Sequence, residues 1–278
     1  MAATVRRIRS AIGVHFTLVV AAILVIAPVI WTIGAGLRYQ ISLLMGDILF
    51  TPTLDNFKDV LLSKTSDFIQ NYLNSLYVGL ASTFLCLVIG FLAAWSLNRS
   101  AWPRWIVHVF LGWTLIFHMI PPVALAGAWY QMARMVGLDN TYTGLILAHT
   151  VLNLPMAIWL LSVFVRDVPV ELEEAAFIDG ATTPVLLRYI VLPLCAPGLA
   201  ATGVLTFIFS WNEFAVALTL SQKATATVPV AIAKYAQDFE IQYTQMAAAA
   251  ALSILPALLL LVFAQRFIEK GLTQGAVK

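Results

Sequence analysis

The sequence predicts an all-α integral membrane protein with six transmembrane helices. Of its 278 residues, 61% are hydrophobic and only 11% are charged, whereas a soluble domain carries roughly 25% charged residues. The mean hydropathy is +0.89, and the apolar runs are long enough to cross a hydrocarbon core of ~30 Å. Because so few charged side chains cannot cover a water-exposed surface, lipid is the expected solvent for most of the chain.

Six apolar runs mark the expected spans, at 11–35, 72–97, 105–133, 142–165, 194–220 and 246–267. Helix is the expected form, since a helix satisfies its own backbone groups in lipid. The third run is overlong and contains Pro121 and Pro122, so we expect a kink or a break there. The first run is longer than the core of a signal peptide and lacks a small-residue cleavage site after it, so we expect a retained anchor.

The basic residues predict the orientation. With the N-terminus in the cytoplasm, ten of the sixteen Lys and Arg residues lie on the cytoplasmic side, as the positive-inside rule favours. Both termini are then cytoplasmic. The expected organisation is a tail with the first helix (1–37), an outer segment (38–70), a core of five spans (71–267) and a cytoplasmic tail (268–278). In the outer segment, residues 51–57 predict a turn that leads into a short helix.

No arrangement of residues in the sequence predicts catalysis, metal binding or nucleotide binding. A GxxxxGK[ST] phosphate loop and an HExxH pair are both missing, and the four histidines are scattered. Cys86 and Cys195 lie in or beside apolar stretches without metal-ligand spacing. We expect them to be buried and unpaired. The net charge of +2 is too small to indicate a nucleic-acid partner.

A predicted cytoplasmic loop between the fourth and fifth spans, VPVELEEAAFIDGATTPVLLRYIVLPL, carries the most information. Pro169 suits a first helical position. Three acidic residues then fall in the first turns, where they complement the helix dipole: Glu171, Glu173 and Glu174. Gly180 can take the left-handed conformation that ends a helix. The loop therefore begins with a short helix and a hinge.

Thr183 and Pro184 then predict the N-cap and first residue of a second short helix. Such a helix pair has two interpretations. It could present a rigid knob to a soluble partner and transmit motion to the neighbouring spans. It could also be an amphipathic segment that lies on the lipid surface.

A motif in this loop resembles a known family. Glu174-Ala175-Ala176, Gly180, Ile190, Leu192 and Pro193 match, at every position and spacing, the EAA motif of binding-protein-dependent ABC importer permeases of the type-1 fold. The resemblance implies that the EAA loop at 166–193 is a coupling-helix pair that docks into a cleft on a separate ATPase subunit. Glu174 would face a basic residue of that subunit, and Gly180 would provide the bend. ATP and Mg would be bound by the ATPase subunits, with no cofactor on this chain.

Further stretches between about residue 50 and residue 278 resemble the carbohydrate-uptake branch of the family, typified by the smaller maltose permease subunit. They are residues 141–145, 154–159, 210–214 and 270–278. The resemblance implies an importer of a sugar or sugar-like solute. Its other parts would be a second homologous permease, two ATPase subunits and a periplasmic or lipid-anchored solute-binding protein.

Polar residues in the spans are candidates for the solute pathway. On one helix, Thr202, Thr206, Ser210 and Glu213 would fall within about 80° of arc. A carboxylate in a span costs roughly 2.5–3.5 kcal/mol, so Glu213 should not face lipid. The stripe either lines a water-filled route or packs against another helix through hydrogen bonds.

Amides, carboxylates and aromatic rings are the groups that typically bind sugars. The predicted pathway residues are therefore Asn153, Ser210, Trp211, Asn212 and Glu213. A packing role for Trp211 is an alternative, and His149 is expected to be structural.

The segment 221–245 also has two interpretations. By resemblance it is a periplasmic "scoop" loop that reaches into the binding protein. Otherwise it lies at the membrane interface, with Tyr235, Phe239 and Tyr243 as anchors.

Two other functions compete with sugar import. One is an ABC permease for a polyol phosphate, an amino acid or a peptide. The other is an ion-coupled secondary transporter, which would call for paired intramembrane charges and an internal repeat.

Overall fold

The computed structural model describes residues 2–236, 241–260, 262–263 and 265, with side chains from residue 13 onwards. Regular secondary structure in these residues is helical. The expected tail 268–278 and the proposed anchor Phe239 lie outside the described residues. The helices divide into two compact units, 1–68 with 232–255 and 69–231 with 256–278.

Among the described residues, four single helices are long and apolar enough to cross a membrane, and two bent pairs bring the number of candidate spans to six when each pair counts as one span. The single helices are α1 (Ala2–Gly36), α4 (Phe68–Arg99), α7 (Tyr142–Arg166) and α13 (Tyr243–Ser253, continued to Leu260). The first pair is α5 (Arg104–His118) with α6 (Pro122–Met135), and the second is α9 (Thr183–Leu194) with α10 (Ala196–Trp211). The all-α, six-span fold class is confirmed.

The third span is broken where the prolines predict it. α5 and α6 meet at an angle of 96°. Pro121 precedes the first turn of α6, and Pro122 is its first residue. A proline there costs no hydrogen bond, because the first N–H groups of a helix lack an intrahelical acceptor.

The fifth span differs from its prediction. A single helix over 194–220 was wrong, because α9 and α10 bend by 76° at Cys195 and α10 ends at Trp211. The chain then leaves the helix at Asn212 and re-enters one as α11 (Ala215–Leu220). Hydropathy alone did not reveal these breaks, since the residues on both sides are apolar.

In the first unit, α1 packs against α13, and two short helices follow α1: α2 (Gln40–Met45) and α3 (Asp55–Leu62). Asn56 joins these elements. Its Nδ2 donates to the carbonyls of Gly36 (2.8 Å) and Arg38 (2.7 Å), and its Oδ1 accepts from the Thr244 hydroxyl (3.0 Å). The short helix predicted after the turn at 51–57 is therefore present and tied to the ends of two spans.

In the second unit, α4 and α7 run in the same direction, and an apolar cluster lies at each end. The first cluster joins the starts of α4 and α7 to α6, α11 and α12 (Val228–Lys234), through residues such as Val78, Leu145 and Val216. The second joins the ends of α4 and α7 to the EAA loop, through Phe91, Leu161 and Leu186. Because its helices share apolar faces with the spans, the loop belongs to the body of this unit.

α10 lies close to α7 at Gly198. A Cβ at this position would overlap the ring of Phe164. The absence of a side chain therefore lets an aromatic ring of α7 rest on the backbone of α10, just after the 76° bend.

We predict that Gly198→Ala lowers the melting temperature of the purified protein, because overpacking a close contact costs roughly 1–3 kcal/mol. Gly112→Ala on α5 is the matched control, since a Cβ there meets nothing within 4 Å. Thermal unfolding of both variants in one detergent provides the measurement. A Gly198→Ala variant as stable as the Gly112→Ala variant would show that the contact with Phe164 does not constrain α10.

Candidate functional site

The EAA loop begins with a nine-residue helix, α8 (Val170–Ile178). Pro169 is its N-cap, and Val170 is its first residue, so the prediction that Pro169 takes the first helical position was wrong by one residue. α9 likewise starts at Thr183 with Thr182 as N-cap, one residue before the predicted start. α9 also contains a π-turn at Leu187–Val191, which the sequence did not predict.

Gly180 ends α8 in the left-handed conformation, with φ = 84°. Its N–H donates to the carbonyl of Phe177 (3.1 Å), and the N–H of Ala181 donates to that of Ala176 (2.9 Å). Two of the last helix carbonyls are thus satisfied. A residue with a side chain is strained at this φ, which explains glycine at the hinge.

The motif residues divide between an outer face and an inner face of the loop. Ala176 is buried in the second apolar cluster and Ile190 is half-buried. The others are exposed: Glu174, Ala175, Gly180, Leu192 and Pro193. Apolar residues beside them are exposed as well, among them Phe177 and Ile178. The loop therefore presents a mixed acidic and apolar surface on its outer face, opposite the face that packs against the spans.

A buried ion pair holds α8 to the end of α4. The Nε of Arg99 lies 2.8 Å from Oε1 of Glu173, and their side chains are only 12% and 5% exposed. Trp95 Nε1 donates to Oε2 of the same carboxylate (3.2 Å). Arg99 Nη2 also donates to the carbonyl of Val165 (3.0 Å), in the last turn of α7, and to that of Val168 (2.7 Å), just after the helix. One guanidinium thus joins α4, α7 and α8.

Sequence reasoning missed the role of this group. It assigned Glu173 to the helix dipole and gave Trp95 and Arg99 no part in holding the EAA loop. The available signal was an arginine at the end of a span together with an additional acidic residue before the motif. Removing one partner of such a buried pair costs roughly 3–5 kcal/mol, because a desolvated charge remains.

A second polar network crosses the middle of the unit. The Ser210 hydroxyl lies 3.1 Å from that of Ser82 and 2.7 Å from Nδ1 of His149. Nε2 of His149 lies 3.6 Å from Oε2 of Glu213. α4, α10 and α7 are therefore linked through buried side chains. The structural role expected for His149 stays a prediction.

Glu213 lies in the non-helical stretch after α10, not on one helix with Thr202, Thr206 and Ser210. The predicted stripe is corrected to this extent. Oε1 of Glu213 accepts from the N–H of Val216 (2.9 Å), and Oε2 of Glu213 accepts from that of Ala217 (2.8 Å). A carboxylate that binds the first N–H groups of α11 also complements the dipole of that helix. These contacts explain why a new helix starts here.

The other predicted pathway residues are divided by burial. Asn153 is buried, and its Nδ2 donates to the carbonyl of His149 (2.8 Å). Trp211 is buried, with Tyr72 edge-on at 5.3 Å and Phe207 stacked at 5.7 Å between ring centroids. Asn212 is exposed. The ring contacts of Trp211 with Tyr72 and Phe207 are packing contacts.

The start of the segment 221–245 is bound to α4 and to the turn before α7. Asn74 Nδ2 donates to the carbonyls at 224 (3.0 Å) and 226 (2.9 Å), and the Ser75 hydroxyl accepts from the N–H of Val228 (2.7 Å). Asn140 Oδ1 accepts from the N–H of Gln222 (3.1 Å) and from the Thr225 hydroxyl (2.7 Å). Residues 222–228 are thus fixed by named polar contacts.

An apolar groove of about 520 Å³ lies between α6, α7 and α11, lined by residues that include Trp129, Met132, Leu147 and Val151. Its lining side chains are mostly apolar, and the indole N–H of Trp129 is the one side-chain donor among them, so the groove offers a sugar few hydrogen bonds. Among the described residues, no cluster of three His, Cys, Asp or Glu side chains could hold a metal. Cys86 and Cys195 are buried and free, as predicted.

Comparison with known proteins decides the family. The model described as "Binding-protein-dependent transport system inner membrane component" matches residues 86–274. The chain belongs to this family. It is therefore a multi-pass inner-membrane subunit of a transporter and not itself an enzyme. Membership implies that partner ATPase subunits bind the nucleotide and that a binding protein takes part in transport.

Two relatives and one solved structure illustrate the range of this permease family. The chain is 36% identical over 255 residues to the trehalose transport system permease protein SugB of Mycobacterium tuberculosis, with 90% of this chain and 92% of SugB covered. It is 32% identical to the trehalose/maltose transport system permease protein MalG of Thermococcus litoralis, with 94% of each covered. A chain of a bacterial ABC transporter that imports alginate superimposes with a TM-score of 0.75 at 19% identity, covering 94% of this chain and 97% of that one.

We predict that Glu213→Ala and Glu213→Gln both lower the melting temperature of the permease. The alanine variant leaves two N–H groups unpaired, each costing roughly 1–3 kcal/mol when buried, and the glutamine variant places an amide N–H₂ against one of them. The adjacent Asn212→Ala is the control, because Asn212 is exposed. Unaltered melting temperatures together with changed uptake in both Glu213 variants would instead favour a direct role in the solute pathway.

Proposed function

We propose that this chain is a permease subunit of an ATP-driven importer that moves a sugar or sugar-like solute into a bacterial cell. The coupling role is supported by the structure of the EAA loop. Its outer face is acidic and apolar and exposed, and its inner face packs against the ends of α4 and α7. The sugar assignment is supported by relatives whose names specify trehalose, maltose and sulfoquinovosyl glycerol.

The complete importer would contain a second homologous permease, two ATPase subunits that bind ATP and Mg, and a periplasmic or lipid-anchored binding protein. The EAA loop and both termini would lie in the cytoplasm. ATP-driven closure of the ATPase subunits would draw the coupling helices together and open the pathway outwards. The solute would pass without covalent change.

Within the EAA loop, Glu174 and Ala175 would contact the ATPase cleft directly, since both are exposed. Gly180 would set the angle between α8 and α9. Ala176 would hold α8 against the spans, because it is buried in the apolar cluster. Ile190, Leu192 and Pro193 would continue the second coupling helix into the fifth span.

The pathway residues are proposed in two groups. Asn212 would meet the solute, because it is the exposed member of the set. Asn153, Ser210, Trp211 and Glu213 would shape the pathway from behind, because each is buried. The part of the segment 221–245 that follows residue 231 would reach the binding protein, with 222–228 as its fixed base.

One alternative remains as an outcome of the tests below. A permease for a polyol phosphate, an amino acid or a peptide would have the same EAA loop, so transport assays with a solute panel separate it from a sugar permease. An ion-coupled transporter, which would move solute without an ATPase subunit, does not fit the family to which the chain belongs.

We predict that the purified chain hydrolyses no ATP and that hydrolysis appears when the second permease and the ATPase subunits are added. Phosphate release is measured before and after assembly, with the ATPase subunits alone as the reference. Solute specificity is then read from uptake into vesicles with a panel of sugars, amino acids and peptides. Uptake driven by an ion gradient in the absence of the ATPase subunits would contradict the proposed function.

We predict that Gly180→Val weakens binding of the ATPase subunits and abolishes uptake while the spans stay folded. A β-branched residue at φ = 84° costs about 1 kcal/mol or more, which α8 relieves by shifting its end. Gly180→Asn is the matched control, because asparagine tolerates the left-handed conformation. Co-purification of the ATPase subunits and initial uptake rates give the comparison. Normal values for the valine variant would rule out the hinge.

A further inference from the structure

We infer that Arg99 and Glu173 are positioning residues that make α8 and the end of α4 move as one body when the ATPase subunits act on the EAA loop. This inference rests on the proposed function, since it concerns how motion from the ATPase would enter the spans. Glu173 lies just before the motif and has this positioning role, whereas the motif residue Glu174 would contact the ATPase subunit.

The two adjacent glutamates of α8 have opposite environments. Consecutive helical residues are rotated by about 100°, so they cannot share a face. Glu174 is exposed. Glu173 is buried, and both of its carboxylate oxygens are occupied, one by Arg99 and the other by Trp95. One glutamate therefore faces outwards for a partner while its neighbour faces the spans.

The geometry around Arg99 makes this connection stiff. Its guanidinium is held at Nε by Glu173 and at Nη2 by two carbonyls at the end of α7, those of residues 165 and 168. A planar guanidinium fixed from two sides has little freedom to follow α8 alone. Displacement of α8 by a partner therefore pulls on α4 and on the end of α7 together.

Apolar packing alone would not connect the elements in this way. Ala176 and Leu186 pack against the ends of the same spans, but dispersion contacts are individually weak and non-directional. Charge-assisted hydrogen bonds have defined lengths and angles. The ion pair therefore sets the orientation of α8, whereas the apolar cluster keeps water out.

The test measures the distance between α8 and α4 with and without ATP. Spin labels are placed at Val170→Cys and Leu92→Cys, both exposed positions, in a chain in which Cys86 and Cys195 are replaced by alanine. The chain is assembled with its permease and ATPase partners, and ATP with vanadate closes the ATPase subunits. We expect a narrow distance distribution that ATP does not shift, since the two labels move together.

In Glu173→Gln the charge is lost while the shape is kept. We expect a broader distribution that shifts on ATP binding, with ATPase subunits still bound through Glu174. Trp95→Phe removes the hydrogen bond to Glu173 and keeps an aromatic ring, so we expect a smaller broadening of the distance distribution. This variant replaces Glu173→Gln in the test if Glu173→Gln assembles poorly. Lys58→Gln, from a surface ion pair whose side chains are 64% and 57% exposed, is the control and should leave the distribution unchanged.

Two results would overturn the inference. One is an ATP-dependent shift of the distance in the otherwise unchanged chain, which would mean that α8 moves without α4. The other is a narrow, ATP-independent distribution in both Glu173→Gln and Trp95→Phe. Failure of the ATPase subunits to bind the unchanged chain would instead count against the proposed function, and the width of the distribution in the isolated chain would still report on the ion pair.

Discussion

The buried contact between Arg99 and Glu173 is the constraint on which the arrangement of the EAA loop depends. Each charge has been taken out of water, and each is acceptable there only because the other is present. The guanidinium needs the carbonyls at the end of α7 as well, because the carboxylate alone cannot occupy all its donors. The end of α4, which is far from α7 and α8 in sequence, must therefore meet both of them at one point. The apolar cluster around Leu161 and Leu186 seals that point from water.

α4 connects this contact to the rest of the second unit. Near its start, Asn74 binds the backbone of the segment after α11. In its middle, Ser82 joins the network of Ser210 and His149, and at its end Arg99 binds α8. From residue 74 to residue 99 the helix spans about 37 Å at 1.5 Å per residue. A single rigid helix thus carries polar attachments at both ends and in the middle, so displacement at one end is felt at the other.

The sequence predicted what depends on composition and local rules. Lipid requires long apolar helices, so the spans could be found from hydropathy, and Pro121 with Pro122 marked the break in the third. The sequence did not predict that α10 ends at Trp211. The chain leaves the helix there because the carboxylate of Glu213 binds two N–H groups of α11 and starts a new helix. The sequence also did not distinguish the roles of Glu173 and Glu174. Which of two adjacent acids faces inwards depends on an arginine 74 positions away, and no local pattern contains that information.

The pathway candidates follow the same logic of partners. A buried polar group in a span must be hydrogen-bonded, whether to protein, water or solute. Ser210 and Glu213 already have protein partners on neighbouring elements, so a solute could bind them only by displacing those contacts. Without these contacts, α10 would lose its hydrogen bond to α4, and the first turn of α11 would lose the carboxylate that binds its N–H groups. As proposed, a sugar would instead be bound by exposed groups such as Asn212, and the buried network behind them would stay intact. The buried polar residues would then fix the wall of the pathway, and the exposed residues of this chain and of a second permease would contact the solute that moves along it.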